Sequence, residues 1–178
     1  MKFTEYLRLN ESNSSSTNFQ PKDLGELREI IKNTIKENGP KCDLNFIDTS
    51  KITIMSHLFE DSKFNGDISK WDVSNVEYMS SMFEGSEFNG DISKWDVSNV
   101  VLMDRMFAYS KFNKDISKWN IRHVSTISGM FRNSQFNQNI SKWNTVSLQN
   151  TENAFKNCPL EKKPAFQPKV EFSADLDI

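Results

Sequence analysis

The chain has 178 residues, enough for one domain with its own core, and its 26% charged residues leave a net charge of −2. That balance argues for neither a membrane surface nor general nucleic-acid binding. There is no run of apolar residues long enough to cross a bilayer, and two cysteines do not make a disulfide framework.

Residues 1–20 read as an N-terminal segment and a polar linker. Phe3, Tyr6 and Leu7 have the spacing of one helical turn, and ESNSSSTNFQ that follows is polar throughout. The opening residues hold no apolar stretch of the secretory kind, so a cytoplasmic address is expected. Residues 21–41 predict a capping helix over 21–38. Pro21 suits a first turn, Leu24, Leu27, Ile31 and Ile35 form one apolar face, and Gly39-Pro40 ends the helix.

From residue 42 to residue 160 the chain repeats itself. FNGDISKWDVSNV begins at Phe64 and again at Phe88, then returns as FNKDISKWNIRHV at Phe112 and FNQNISKWNTVSL at Phe136, always 24 residues on. A period of this length predicts a solenoid of about five coils, the first and last degenerate because a terminal coil has only one neighbour. We number them coil 1 (residues 42–63), coil 2 (64–87), coil 3 (88–111), coil 4 (112–135) and coil 5 (136–160). Within coil 2, Ile68, Trp71 and Val73 have LxxLxL spacing, which predicts a strand with Asp72 on the opposite face. Val76, Met79, Met82 and Phe83 predict a short helix, with Ser74 and Glu77 at capping-box spacing. Gly85, aligned with Asp61, Asn133 and Asn157, predicts a left-handed residue, and Tyr109 breaks the pattern. The expected architecture is therefore an α/β repeat, a short leucine-rich-repeat-like solenoid with a parallel β ribbon, short helices and an N-terminal capping helix.

The columns assign roles. Asn65, Asn89, Asn113 and Asn137 share one phase and predict a structural amide ladder; Trp71, Trp95, Trp119 and Trp143 predict core. His57 and His123 fall in different columns about three coils apart, and Cys42 and Cys158 lie at opposite ends of the repeats. No Ser–His, Cys–His or two-His metal constellation can be built from them. The acidic column Asp67, Asp91 and Asp115 predicts turn hydrogen bonds, without the glycine-rich repeat of calcium-binding solenoids. We expect no enzyme, no metal and no cofactor. Residues 161–178 read as a C-terminal cap, with Phe166 tucked inward, and an acidic tail.

The repeat block, followed by V-x-x-M-x-x-M-F-x-x-S, resembles the BspA-type leucine-rich repeats, best known from bacterial surface proteins and mycoplasma lipoproteins. The resemblance spans roughly residues 42–166. It implies adhesion or protein–protein contact and carries no catalytic motif.

Function is expected on outward positions of the strand. Residues 61–115 hold ten acidic and six basic side chains, whereas residues 116–151 hold Lys118, Arg122, Lys142 and Arg132 with no acid. Such a gradient steers and orients a charged partner. The candidate partner-binding residues are Lys94, Asp96, Lys118, Asn120, Arg122, Lys142 and Asn144. The leading expectation is a non-catalytic protein-binding module. Alternatives are a phage or mobile-element inhibitor of a bacterial defence nuclease or its guide RNA, engaged through the basic coils, and a surface adhesin.

Overall fold

Backbone hydrogen bonds between residues almost one period apart hold the molecule together. The computed structural model describes residues 19–166. In coil 1 the N–H groups of Met55, His57, Phe59 and Asp61 donate to the carbonyls of Tyr78, Ser80, Met82 and Glu84 in coil 2, at 2.7–3.0 Å. The same four bonds recur from Met79, Ser81, Phe83 and Gly85 to coil 3, from Met103, Arg105, Phe107 and Tyr109 to coil 4, and from Ile127, Gly129, Phe131 and Asn133 to coil 5. The donors alternate along the chain, so every bond of this ladder points the same way along the stack.

This ladder lies where the sequence predicts a helix, and no helix forms there. The segment is a pair of β-turns instead. Leu58 N–H returns to Met55 and Ser62 N–H to Phe59, and the third residues of these turns, His57 and Asp61, have φ 59° and 52°. A β-turn with positive φ at its third residue alone is type II. The pattern repeats with Ser81 and Gly85, Arg105 and Tyr109, Gly129 and Asn133, and Asn153 and Asn157. The predicted left-handed column is therefore present, but inside turns rather than after a helix. Ser74 caps nothing; its hydroxyl donates to Asp72, and Glu77 N–H crosses to the carbonyl of Thr53.

The predicted strand over residues 68–73 is also absent. Trp71 N–H closes a turn onto Ile68, and Val76 N–H closes another onto Val73. Among the described residues parallel pairing is confined to single-residue bridges in another column, Ile54–Tyr78–Leu102–Thr126–Asn150, with further bridges Asp43–Asp67 and Phe19–Ile47. Each coil is thus a loop of four corners, and regular strands and helices are replaced by turns. The core nonetheless falls in the predicted columns, because a turn of this kind also returns side chains to one side every three residues. Trp71 and Val73 are buried and Asp72 is exposed.

Stacking fills the interior. Phe59, Phe83, Phe107, Phe131 and Phe155 form one aromatic column with ring centroids 5.5–6.0 Å apart, and Phe64, Phe88, Phe112 and Phe136 form a second at 6.1–6.3 Å. Trp71 and Trp95 are parallel to within 3°. Each buried indole N–H donates to a carbonyl 27 residues earlier: Trp71 to Leu44, Trp95 to Ile68, Trp119 to Ile92 and Trp143 to Ile116. The carbonyls of Ile68, Ile92 and Ile116 already accept the turn bond of their own coil's tryptophan, so both lone pairs are used. The asparagine ladder is present as predicted. Asn65, Asn89 and Asn113 each accept, through Oδ1, the backbone N–H of Asn89, Asn113 and Asn137, every time at 2.9 Å.

Among the described residues a single helix, α1 (Leu24–Asn38), joins the core at the N-terminal end. It starts three residues later than predicted. Asp23 is the N-cap, accepting the N–H of Glu26, while Glu26 accepts that of Lys22, and Pro21 lies outside the helix. Gly39, at φ 82°, ends it with an N–H donated to Ile35. The buried face is Leu27, Ile30, Ile31 and Thr34; the predicted Leu24 and Ile35 are only half-buried. At the other end Phe166 stacks on Phe155 at 6.0 Å but stays 40% exposed, so it is a lid on the column rather than a residue tucked inside. The expectations for the N-terminal helical turn and the acidic tail lie outside the described residues.

Tyr109 carries a bulky side chain at φ 57° where its equivalents are Asp, Gly or Asn. A left-handed conformation costs a residue of this kind about 1–2 kcal/mol, and asparagine less. Tyr109→Asn is expected to stabilise the fold by roughly 0.5–1 kcal/mol, read as a higher urea midpoint; an unchanged or lower midpoint would contradict the turn assignment.

Candidate interaction surface

The residues singled out for partner binding sit on the two corners that replace the predicted strand. Two short Asx-turns shape these corners in every coil. At the first, Asp67, Asp91, Asp115 and Asn139 accept, through Oδ1, the N–H two residues on, from Ser69, Ser93, Ser117 and Ser141. At the second, Asp72, Asp96, Asn120 and Asn144 do the same for Ser74, Ser98, Arg122 and Val146. Side-chain acceptors of this sort stabilise a turn without help from a ladder. The acidic column is thus engaged in turns, and Asp96, Asn120 and Asn144 have a structural task before any other.

These bonds move the carboxylates. The Asp67, Asp91 and Asp115 carboxyls lie below the usual aspartate range, chiefly because a serine backbone N–H donates to each, with Lys70, Lys94 and Lys118 respectively among the smaller contributions. Asp96 is lowered mainly by the side chain of Ser98.

Lys94, Asp96, Lys118, Asn120, Arg122, Lys142 and Asn144 are all exposed. The period puts Lys94, Lys118 and Lys142 in one column and Asp96, Asn120 and Asn144 in another, with Arg122 beside them. Their charge environments differ in a way the columns did not suggest. Lys118 lines a shallow cleft of about 320 Å³ with Asp91, Ser93, Lys114 and Asp115. Two carboxylates there offset two ammonium groups. One coil on, the position of Asp115 is taken by Asn139, and Lys142 has no such neighbour in its own turn. Among the described residues no ion pair involves Lys94, Lys118, Arg122 or Lys142. Arg122 and Lys142 therefore lack the same-turn carboxylate that Lys118 has in Asp115.

Ion pairs form on the ladder side instead. Glu84, only 8% exposed, accepts from Ser81 Oγ at 2.8 Å and from Arg105 Nε at 3.0 Å, and Lys111 reaches Glu87. The two histidines are occupied locally: His57 Nδ1 lies 2.9 Å from Glu60, and His123 Nδ1 lies 2.9 Å from the carbonyl of Ser98. His123 thereby takes the place of Asn75 and Asn99, whose side-chain amides bond the equivalent carbonyls of Ser50 and Ser74. Cys158 is half-buried, and its thiol donates to Phe136 O at 3.1 Å. Among the described residues no three His, Cys, Asp or Glu side chains cluster as metal ligands would.

Sequence reasoning missed one apolar feature. Ile54 and Tyr78 in the bridge column are 43% and 36% exposed, and Leu102 follows them, half-buried, before the column turns polar at Thr126 and Asn150. The signal was present in the column identities, but assigning these residues to a helix hid their shared outward position.

Stacked corners, aromatic columns and one capping helix define a tandem 24-residue repeat protein. Two overlapping stretches, residues 26–131 and 84–167, match the family described as Mycoplasma protein of unknown function, DUF285, and the chain belongs to that family. No curated protein and no solved structure matches it. Among the described residues no helix is long and apolar enough to cross a membrane.

A carboxylate held below its ordinary range stabilises the fold above that range and loses the contribution as pH falls through it. Unfolding by urea is therefore expected to need less denaturant as pH drops from about 5 towards 3. The double substitution Asp91→Asn, Asp115→Asn keeps the turn acceptors, as Asn139 does, and should flatten that decline. An equal decline in both proteins would contradict the assignment.

Proposed function

We propose that this protein is a non-catalytic protein-binding module, a BspA-like, leucine-rich-repeat-like solenoid that docks a partner on the corners carrying Lys94, Asp96, Lys118, Asn120, Arg122, Lys142 and Asn144. The observation that carries the reading is the exposed basic run Lys118, Arg122 and Lys142, free of ion pairs among the described residues, in a stretch without an acidic side chain. Turns closed by their own Asx acceptors hold these side chains on a preformed surface, so little ordering entropy is lost on binding. The reading takes the cytoplasm as the site of action; an adhesin role would require export.

A second reading, favoured by the same acid-free run, is a phage or mobile-element inhibitor of a bacterial defence nuclease or its guide RNA, with direct RNA binding as its biochemical form. Salt separates the two, because phosphate contacts release counterions and affinity falls steeply with ionic strength.

Reversing three charges with Lys118→Glu, Arg122→Glu and Lys142→Glu should leave folding intact, since none of these side chains makes an ion pair in the described fold. The triple variant is expected to lose about tenfold or more in affinity for a partner isolated with the unaltered protein, mostly through slower association. Equal capture by both proteins would remove the corner from the binding surface.

A further inference from the structure

The ladder between coils ends abruptly. Every interior coil donates four alternating N–H groups to the next coil, yet in coil 5 the corresponding groups of Thr151, Asn153, Phe155 and Asn157 meet no acceptor among the described residues. The carbonyl of Gln149, whose equivalents Thr53, Glu77, Val101 and Ser125 each accept from the following coil, is likewise unused. The C-terminal end of the stack thus presents one acceptor followed by four donors at alternate residues. An extended neighbour turns the carbonyls of alternate residues to one side, so it can accept a row of donors at this spacing.

We infer that this edge docks an extended segment of another protein, taken up by backbone pairing and carrying acidic side chains over its basic part. A second copy of this chain does not fit. Set tail to tail, two such edges bring donors against donors. Set head to tail, the edge meets the N-terminal end, where α1 covers the core and Arg28 already occupies the carbonyl of Ser56 at 3.0 Å. The chemistry of the edge indicates its partner instead. Lys156 stands between two of the donors, and Lys163 lies with its ammonium 5.7 Å from the Phe155 ring. Glu152 stands at the other end of the row, tied to the amide of Asn153 at 3.1 Å. The edge is therefore basic beside Phe155 and Phe166, where partly exposed rings offer apolar contact. A segment with alternating acidic and apolar residues matches both features, in the manner of strand addition to an open sheet edge. This edge is separate from the corner of Lys118, Arg122 and Lys142, so the two readings stand or fall independently.

The test uses the full, isotopically labelled chain with two synthetic decamers, one alternating Glu and Val and one alternating Lys and Val. Saturating Glu–Val peptide is expected to slow amide exchange at Thr151, Asn153, Phe155 and Asn157 by about tenfold or more, with little effect from the Lys–Val peptide. The variant Thr151→Pro removes a donor that the described fold does not use. It should keep its unfolding temperature and bind the Glu–Val peptide at least about fivefold more weakly. No protection, equal protection by both peptides, or full affinity in the proline variant would overturn the proposal. So would faster exchange of the same four amides, without peptide, on removal of residues 167–178, because the edge would then be filled from within the chain.

Discussion

A hydrogen bond from one coil to its neighbour, made at the same phase every 24 residues, is the constraint on which the rest of this structure depends. At least five backbone bonds and one indole rung fix each coil over the next, and an asparagine rung joins each pair from coil 2 to coil 5. The backbone does not need regular strands for this. A pair of type II turns presents alternate N–H groups to one side as a strand does, while those of the closing residues, such as Leu58 and Ser62, bond within the turns. Buried polar groups need partners wherever they occur, and the turns supply them locally. The phenylalanine columns then fill the space that the backbone spacing leaves.

The same arrangement explains what was legible in the sequence. The period, the core columns, the asparagine ladder and the capping helix are visible because each depends only on residue type and phase. Strand and helix were misread because Ile68-x-x-Trp71-x-Val73 and Val76-x-x-Met79-x-x-Met82 are ambiguous spacings. A β-turn brings residues three apart to one side just as a helical turn does, and a corner buries alternate residues as a strand does. Gly129 and Asn153 marked a second left-handed column, but Ser81 and Arg105 at that phase concealed it. On the candidate surface, exposure followed from phase, so all seven residues lie outside the core. The cleft that puts Asp91 and Asp115 near Lys118 involves two adjacent coils and depended on the geometry of the corner.

Repetition also explains how the molecule can carry different chemistry along its length. The scaffold needs an Asx acceptor at the corners, and asparagine serves as well as aspartate. Replacing Asp96 by Asn120 and Asn144 one and two coils on preserves the turn while changing the charge by one unit per coil. In the bridge column the order Ile54, Tyr78, Leu102, Thr126, Asn150 shows a similar freedom, since the pairing there is made by backbone. Surface character is thus set coil by coil without disturbing the core. The two ends are less alike than the coils: α1 seals one, and the other leaves donors in a row.

Removal of one whole period tests the stacking account most directly. Deleting residues 88–111 joins Glu87 to Phe112 and re-creates the phase of every column, whereas deleting residues 88–99 brings different columns into register. The account predicts that the first deletion leaves a protein with cooperative urea unfolding and the near-ultraviolet dichroism of packed aromatic rings, at a lower midpoint, and that the second leaves neither. Loss of cooperative folding in both proteins alike, or its survival in both, would contradict a structure held together by coil-to-coil register.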